Sequence, residues 1–418
     1  MRVIISGGGI GGLATALALH HVGITDIQIL ESVREIKPLG VGINILPHAV
    51  RELTELGLGD DLDAIGIRTA DLSYISEHGS VIWSEPRGLD AGYLWPQYSV
   101  HRGRFQMLLA QKVRERLGPD ALRTDARVLS ERTEGDTVIV ETTAGEFRGD
   151  LLIAAEGIKS STRAAWHPEE GEPIWSGAVL WRATSRARPF LTGRSMFMAG
   201  YRNLKFVAYP LSPVGEDGLQ EINWIAEQVD PDMTDLQNDW NRAVPISRFA
   251  HLFADWTWEW LNIPELISTA DEVLEYPMVD REPLSSWVRG RTVLLGDAAH
   301  PTYPVGSNGT SQALLDARCL AYALAAMPVE DALSFYENER LPKTAALQNA
   351  NRKMGPELVL QMVHERAPHG FTSIHDVISQ EELDEIAQNY KKVAGFDQQT
   401  LNTRPSWDSL LEESRSSS

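Results

Sequence analysis

Three glycines, Gly7, Gly9 and Gly12, stand in a G-x-G-x-x-G arrangement behind a short β-branched run and ahead of an alanine- and leucine-rich stretch. Between a strand and a helix, such a turn lets the backbone approach a pyrophosphate, whose charge then lies on the free N–H groups of the helix start. Gly7 suits the tight turn, Gly9 the close approach and Gly12 the packing of helix on sheet, with Ile10 and Gly11 opening the helix beside them. Glu31, beside Ser32, lies about 20 residues beyond the last glycine, where a carboxylate can accept from ribose hydroxyls. This motif alone suits FAD as well as NAD.

Far downstream, Val293-Leu294-Leu295-Gly296-Asp297-Ala298-Ala299-His300 reads as a buried strand ending in Gly-Asp. An aspartate at the carboxyl end of a parallel strand can bind a ligand hydroxyl, or it can cap the segment that follows. An ordinary NAD domain has no need of this second corner. His300 fits a proton relay and a structural hydrogen bond equally. Beyond it, Pro304-Val305-Gly306-Ser307-Asn308-Gly309-Thr310-Ser311 leads into a helix. Gly306 and Gly309 permit close approach on either side of Asn308, and the helix start offers N–H groups and partial positive charge. A helix lead-in with no ligand has the same appearance.

Between these segments Arg182, Tyr201, Arg202 and Tyr209 can hydrogen-bond a carboxylate or a phenol, Arg182 and Tyr209 being the principal candidates. Alternation of period two says only that one face of a strand is buried, so the same residues also suit a purely structural place in a sheet. Trp256, Trp258 and Trp260 fit packing better than stacking on a ligand, and Cys319 falls among leucines on a helix, as a core residue does. No metal is expected, since His20 and His21 are adjacent on a helix and cannot face one ion, and no G-x-S-x-G elbow occurs.

These groups need elements to hold them. The patterns predict a strand over 3–5, a helix over 13–23 ending in glycine, strands over 26–30 and 151–155, a helix over 106–117, and a strand and turn over 138–146. From 175 to 275 strands prevail, at 178–181, 206–209 and 222–225. A buried strand over 292–295 and a helix over 311–326 then restore the first pattern. Ser379-Gln380-Glu381-Glu382 forms a capping box before a helix closing at Gly395, and the run through Ser416, Ser417 and Ser418 is expected to be disordered. The fold class is therefore α/β, a Rossmann-like dinucleotide domain (1–174, resumed at 276–350) interleaved with a β-sheet substrate domain (175–275) and followed by a C-terminal helical extension and tail (351–418).

Composition narrows the partners. The chain has 418 residues, and 38 lysines and arginines against 58 acidic residues give a net charge of −20, which repels a phosphate backbone, so no nucleic acid is expected. The apolar run over 10–19 is broken by glycines and has no cationic lead, so no export signal is expected. No stretch is long enough to span a bilayer, and one cysteine cannot form an internal disulfide. A cytoplasmic enzyme is expected.

Taken together, these runs resemble the single-component (group A) FAD-dependent aromatic hydroxylases from residue 1 to about 350. Narrower likenesses, over Pro38-Leu39-Gly40-Val41-Gly42-Ile43-Asn44, Trp83-Ser84-Glu85-Pro86-Arg87-Gly88, Pro96-Gln97-Tyr98-Ser99-Val100-His101-Arg102-Gly103 and Tyr276-Pro277-Met278-Val279-Asp280-Arg281, are to the phenazine-carboxylate monooxygenase of pyocyanin biosynthesis. The region from Gly355 departs from it. The resemblance implies FAD as cofactor, with NAD(P)H as co-substrate reducing it without a second dinucleotide domain. It also implies dioxygen and a small aromatic or N-heteroaromatic substrate, phenolic or carboxylate-bearing. It puts Asp297 on the ribityl chain, the helix start after Asn308 and Gly309 toward the flavin pyrimidine, Val41 and Gly42 beside the flavin ring, and Arg102 and Val128 in the cofactor set. Arg102 also suits a salt bridge at the helix start. Pro304 corresponds to a proline whose carbonyl faces the substrate ring. Glu156 stands where the family has aspartate, and its extra methylene is expected to carry the carboxylate outward with flavin binding preserved. A flavin dehydrogenase or reductase on the same fold and a non-catalytic flavin-fold binding protein are the competing readings, the second opposed by the intact Gly7, Gly9, Gly12, Glu31 and Asp297.

Overall fold

A computed structural model of the chain describes residues 1–233 and 242–416, so the part of the expected β-rich stretch over 234–241 lies outside the described residues. Strand β1 (Arg2–Ser6) leads through helix α1 (Ile10–His21) to strand β2 (Asp26–Leu30). Strands β3 (Asp71–Ile75) and β4 (Val81–Pro86) precede helix α2 (Arg102–Leu117), and β5 (Leu151–Ala154) follows it. Then come β6 (Ile174–Ala187), β7 (Ser195–Tyr201), β8 (Leu204–Pro210), β9 (Gln220–Val229), β10 (Leu274–Asp280) and β11 (Thr292–Leu294). Helices α3 (Gly309–Ala326), α4 (Val329–Arg352), α5 (Leu358–Arg366), α6 (Gln380–Val393) and α7 (Trp407–Ser416) close the chain.

Val3, Ile4 and Ile5 are fully buried on both faces, as a central parallel strand requires. Strand β1 lies inside a six-stranded sheet of order Val288–Arg289, β11, β5, β1, β2, Leu122–Arg123. It pairs in parallel with β2 and β5, and β5 pairs in parallel with β11. The register aligns Ser6 with Ala154 and Ala154 with Leu294, so the turns that begin at Gly7, Ala155 and Leu295 leave from one edge. In open α/β sheets that carboxyl edge is where ligands bind. Helix α1 is closed by Gly23 two residues past its end, whose φ of +96° suits glycine and whose N–H reaches the His20 carbonyl at 3.0 Å.

The second sheet has eight strands in the order Arg242–Ala243, β10, β6, β9, β8, β7, β3, β4, and only the β7–β3 pair is parallel. Strands β3 and β4 reach it from residues 71–86, before the stretch whose composition announces a sheet. One face carries an aromatic core that includes Trp181, Phe206 and Trp224, and Trp256, Trp258 and Trp260 pack into it, behind the sheet. The other face, with Leu180, Ile225, Val207 and Tyr209, looks onto a cleft against the six-stranded layer.

Some boundaries differ from the sequence patterns, and one cap forms as read. Helix α2 begins at Arg102 rather than 106, because His101 Nδ1 accepts from the N–H of Gly103 (3.2 Å) and Arg104 (3.3 Å), a cap outside the usual Ser, Thr, Asp and Asn signals. The capping box of α6 forms as Ser379 and Glu382 exchange bonds. Ser416, expected to be disordered, instead ends helix α7, while Ser417 and Ser418 lie outside the described residues. Asp408 accepts from Arg318 at 2.9 Å and meets His21 at 2.9 Å, Trp407 packs tilted against Tyr322 with centroids 4.9 Å apart, and Leu411 is buried, so α7 is tied to α1 and α3. Cys319 is fully buried in α3. Among the described residues no helix is long and apolar enough to cross a membrane.

Candidate active site

At the end of β1, Gly7 holds φ +109°, and a Cβ there would run into the Ala155 carbonyl. A Cβ on Gly12 would run into the Gly7 carbonyl, so both positions exclude a side chain. Gly9 has open space where its Cβ would lie, and no side chain caps the start of α1. The N–H groups of Ile10, Gly11 and Gly12 are left to meet an anion. Glu31 accepts from the N–H of Gly8 (2.7 Å) and Val33 (2.9 Å) and from the Ser32 hydroxyl (2.9 Å), bracing the turn from the end of β2. Val128 is buried in the same cluster as Leu30 and Ala126. A Cβ on Gly11 would lie 3.2 Å from Leu295 and 3.6 Å from Ala313, so the second glycine-bearing segment packs directly on the first.

That second corner turns at Gly296, with φ +61°. The Gly296 N–H donates to buried Asp316 at 3.2 Å, and the same carboxylate meets His300 at 2.5 Å and accepts from Arg340 at 2.7 Å. His300 is thus part of the structural brace that sets the turn. Asp297 and Arg102 are open to the cleft yet deep within it. Desolvation holds the Asp297 carboxyl above its usual range against the pull of His300 and Arg102, and it lowers the Arg102 guanidinium against the pull of Asp297.

The cleft between the two sheets holds about 1080 Å³ of empty space and opens to solvent. Its rim at residues 41–44 is clasped by the candidate substrate residues. Arg182 Nη2 donates to the Gly42 carbonyl at 3.1 Å, the Gly42 N–H donates to Asn223 Oδ1 at 2.7 Å, and a Cβ on Gly42 would lie 2.6 Å from the Tyr209 ring. Val41 is buried, and its carbonyl accepts from the Arg102 N–H at 2.9 Å. Arg182 Nε and Asn223 Nδ2 are buried without a partner. Burial pushes the Tyr209 phenol up to about 12. Arg202 donates its N–H to Gln361 at 3.1 Å, and Tyr201 stacks on His364 with centroids 4.0 Å apart, against helix α5.

Pro304 is exposed on the cleft wall, ahead of a loop in which Gly306 has φ +66° and Ser307 φ +57°. Asn308 and Gly309 open α3 with no side-chain cap, and with Thr310 they line the cleft. The Asn308 side chain turns inward, donating to the Tyr390 hydroxyl at 3.3 Å and accepting from Gln312 at 3.2 Å. Tyr390, on α6, also meets the carbonyls of Val305 (3.2 Å) and the Asn351 side chain (3.1 Å), and a Cβ on Gly306 would collide with its hydroxyl.

Glu156 does not reach outward as its length suggested. Its carboxylate folds back to accept from the hydroxyls of Ser6 (2.7 Å), Ser160 (2.5 Å) and Ser161 (3.2 Å) and from the Thr162 N–H (3.0 Å). It ties β1 to the helix Ser161–Trp166.

Three further charged residues line the cleft. Lys205 on β8 is held by Glu227 on β9 at 2.9 Å and by Glu357, and all three are buried. Lys205 and Glu227 share the sheet face of Tyr209 and Asn223 by simple alternation, a signal open to sequence reading. Glu357 and Tyr390 carried no such signal, since they come from the C-terminal region.

Comparison with known proteins agrees with this geometry. A family model described as FAD binding domain matches residues 1–248 and 261–350. Phenazine 1,6-dicarboxylic acid hydroxylase PhzS of Lysobacter antibioticus is 44% identical over 84% of this chain and 89% of that protein. A salicylate hydroxylase of Pseudomonas putida is 29% identical over 85% of each chain. The solved structure of Klebsiella pneumoniae HpxO complexed with FAD and uric acid superposes with a TM-score of 0.72 at 22% identity, covering 99% of this chain and 95% of that one.

Proposed function

The chain belongs to the FAD binding domain family and is an FAD-dependent monooxygenase that uses NAD(P)H and dioxygen to hydroxylate an aromatic ring; from that premise we propose which residues hold the cofactor and which face the ring. The observation that carries the assignment is the common edge of Ser6, Ala154 and Leu294, from which the turns of both glycine-bearing segments leave, with Leu295 packed against Gly11. In this reading Gly7, Gly9, Ile10, Gly11 and Gly12 take the pyrophosphate, and Glu31 with Ser32 takes the adenosine ribose, above buried Val128. Asp297 takes ribityl hydroxyls, Arg102 the chain beside it, and Val41, Gly42, Gly306, Asn308 and Gly309 flank the ring system through their backbones. The open space beside Gly9 and the unpartnered polar atoms at the Gly42 rim support the fit.

Bound FAD supplies the reduction of dioxygen and the transfer of one oxygen atom to the ring. The chain's own task is to orient that ring and exclude water. We assign Pro304 to the ring edge, and Arg182 and Tyr209 to a carboxylate or hydroxyl on it, because Arg182 keeps an unpartnered Nε within the cleft wall. The kinship with a phenazine dicarboxylic acid hydroxylase supports an N-heteroaromatic carboxylate as substrate. Residues 1–174 and 276–350 are assigned to the cofactor domain, with β3 and β4 lent to the substrate sheet of 175–275, and 351–418 to a helical wall. A single buried thiol supports a cytoplasmic setting.

The test is NAD(P)H oxidation by the FAD-loaded protein under isotopically labelled dioxygen across N-heteroaromatic and phenolic acids. One labelled oxygen atom in the product is expected. Oxidised product that carries no label would overturn the reading in favour of a dehydrogenase.

A further inference from the structure

The face of the eight-stranded sheet that looks onto the cleft is organised in rows. Tyr209 pairs with Asn223, Val207 with Ile225, and Lys205 with Glu227, while Arg182 pairs with Ile225 and Leu180 with Glu227. Successive rows on one face are about 6.7 Å apart. An apolar row with Arg182 at its end thus separates the Gly42 rim from a charged row about 6.7 Å beyond Arg182. In that charged row one ammonium stands against two carboxylates, with the third member, Glu357, also 3.4 Å from the Gly306 N–H of the loop across the cleft. Desolvation pushes the Glu227 carboxyl above its usual range against the pull of Lys205; burying such a cluster costs several kcal/mol per ionised group before pairing offsets it, and apolar residues of like volume would pack this row at least as well.

Resting on the assignment of the cleft as the substrate site, we propose that Glu227, oriented by Lys205 and Glu357, is a specificity-determining residue that accepts a hydrogen bond from a hydroxyl or ring N–H of the substrate. Lys205 already gives bonds to both glutamates, so acceptor capacity exceeds donor capacity in this cluster. The matching ligand brings a donor, not a second anion. With Arg182 on the neighbouring row, the substrate class is a planar N-heteroaromatic acid that carries its carboxylate on one edge and a hydrogen-bond donor on the opposing edge.

The experiment titrates FAD-loaded protein, without NAD(P)H, with matched pairs of bicyclic and tricyclic N-heteroaromatic acids, each hydroxylated compound against its O-methyl ether, reading the flavin absorbance change. A hydrogen bond to a charged acceptor predicts that wild type binds the hydroxyl member about 10- to 100-fold more tightly. Glu227→Gln is expected to narrow the ratio at least threefold, and Lys205→Met/Glu227→Leu, which removes the pair together, to bring it within twofold of unity. Glu227→Asp should retain part of it. Melting curves and flavin content identify any variant that fails to fold, and the other then decides. Unchanged ratios in folded variants overturn the proposal, as does indifference of the wild type to every pair. Because no turnover is involved, absence of labelled oxygen in products would sink the monooxygenase reading without touching this result.

Discussion

Replacing Tyr390 by Phe keeps the ring that fills the space under Gly306 and removes only the hydroxyl. That hydroxyl receives the Asn308 side-chain N–H at 3.3 Å and faces two acceptors, the Val305 carbonyl at 3.2 Å and Asn351 Oδ1 at 3.1 Å. It has one proton, so the change leaves one donor and one acceptor unsatisfied. Asn308 and Asn351 are almost wholly buried, at 0% and 2% exposure, and water cannot readily replace the lost partner. An orphaned buried polar group costs about 1–3 kcal/mol, and about 2 kcal/mol is a reasonable central value for this pair. If the loop 305–309 holds the flavin, that loss appears as FAD affinity weakened by up to about 30-fold. Flavin fluorescence quenching measures the affinity, and the ratio of hydroxylated product to NAD(P)H consumed measures whether the loop still places the ring. Affinity and coupling both within twofold of wild type would refute the idea that α6 positions this loop.

Three other outcomes follow from the same geometry. Gly306→Ala should abolish stable FAD binding, because a Cβ at φ +66° collides with the Tyr390 hydroxyl; normal flavin content after purification would contradict this. Glu156→Gln turns an acceptor of four bonds into a partial donor and should lower stability by about 1–3 kcal/mol in urea titration while leaving the flavin bound. His48 is wholly buried against Phe396, and burial, helped by Arg404 and Arg340, holds its imidazole down to about 3 from 6.5. The unfolded chain therefore takes up a proton below pH 6.5 that the fold refuses. This contribution to stability is full above 6.5 and is lost as pH falls toward 3, by at most about 1.4 kcal/mol per pH unit. His48→Gln should flatten the pH dependence of the urea midpoint between pH 7 and 5, and an unaltered slope would exclude His48 as its source.

Much of the dinucleotide end could be read before any coordinates, because its demands are local. Gly7 and Gly12 are positions where a side chain meets backbone a few residues or one strand away, and a strand-turn-helix pattern announces them. Alternation likewise placed Arg182 and Tyr209 on strands, although not what they touch. The pairing of Ala154 with both Ser6 and Leu294 could not be read, nor the clasp of Arg182, Asn223 and Tyr209 on Gly42, since each joins residues far apart in the chain. Strands β3 and β4 joined the substrate sheet for the same reason, finding a parallel partner in β7. Glu357 and Tyr390 were the least legible: the capping box announced the helix that carries Tyr390, but nothing local showed that this helix, or Glu357 before it, would meet the cleft. Local conformational preference is written in neighbouring residues, whereas which surfaces meet is settled by burying apolar area and satisfying polar atoms over the whole molecule at once, and that sum has no signature at any single position.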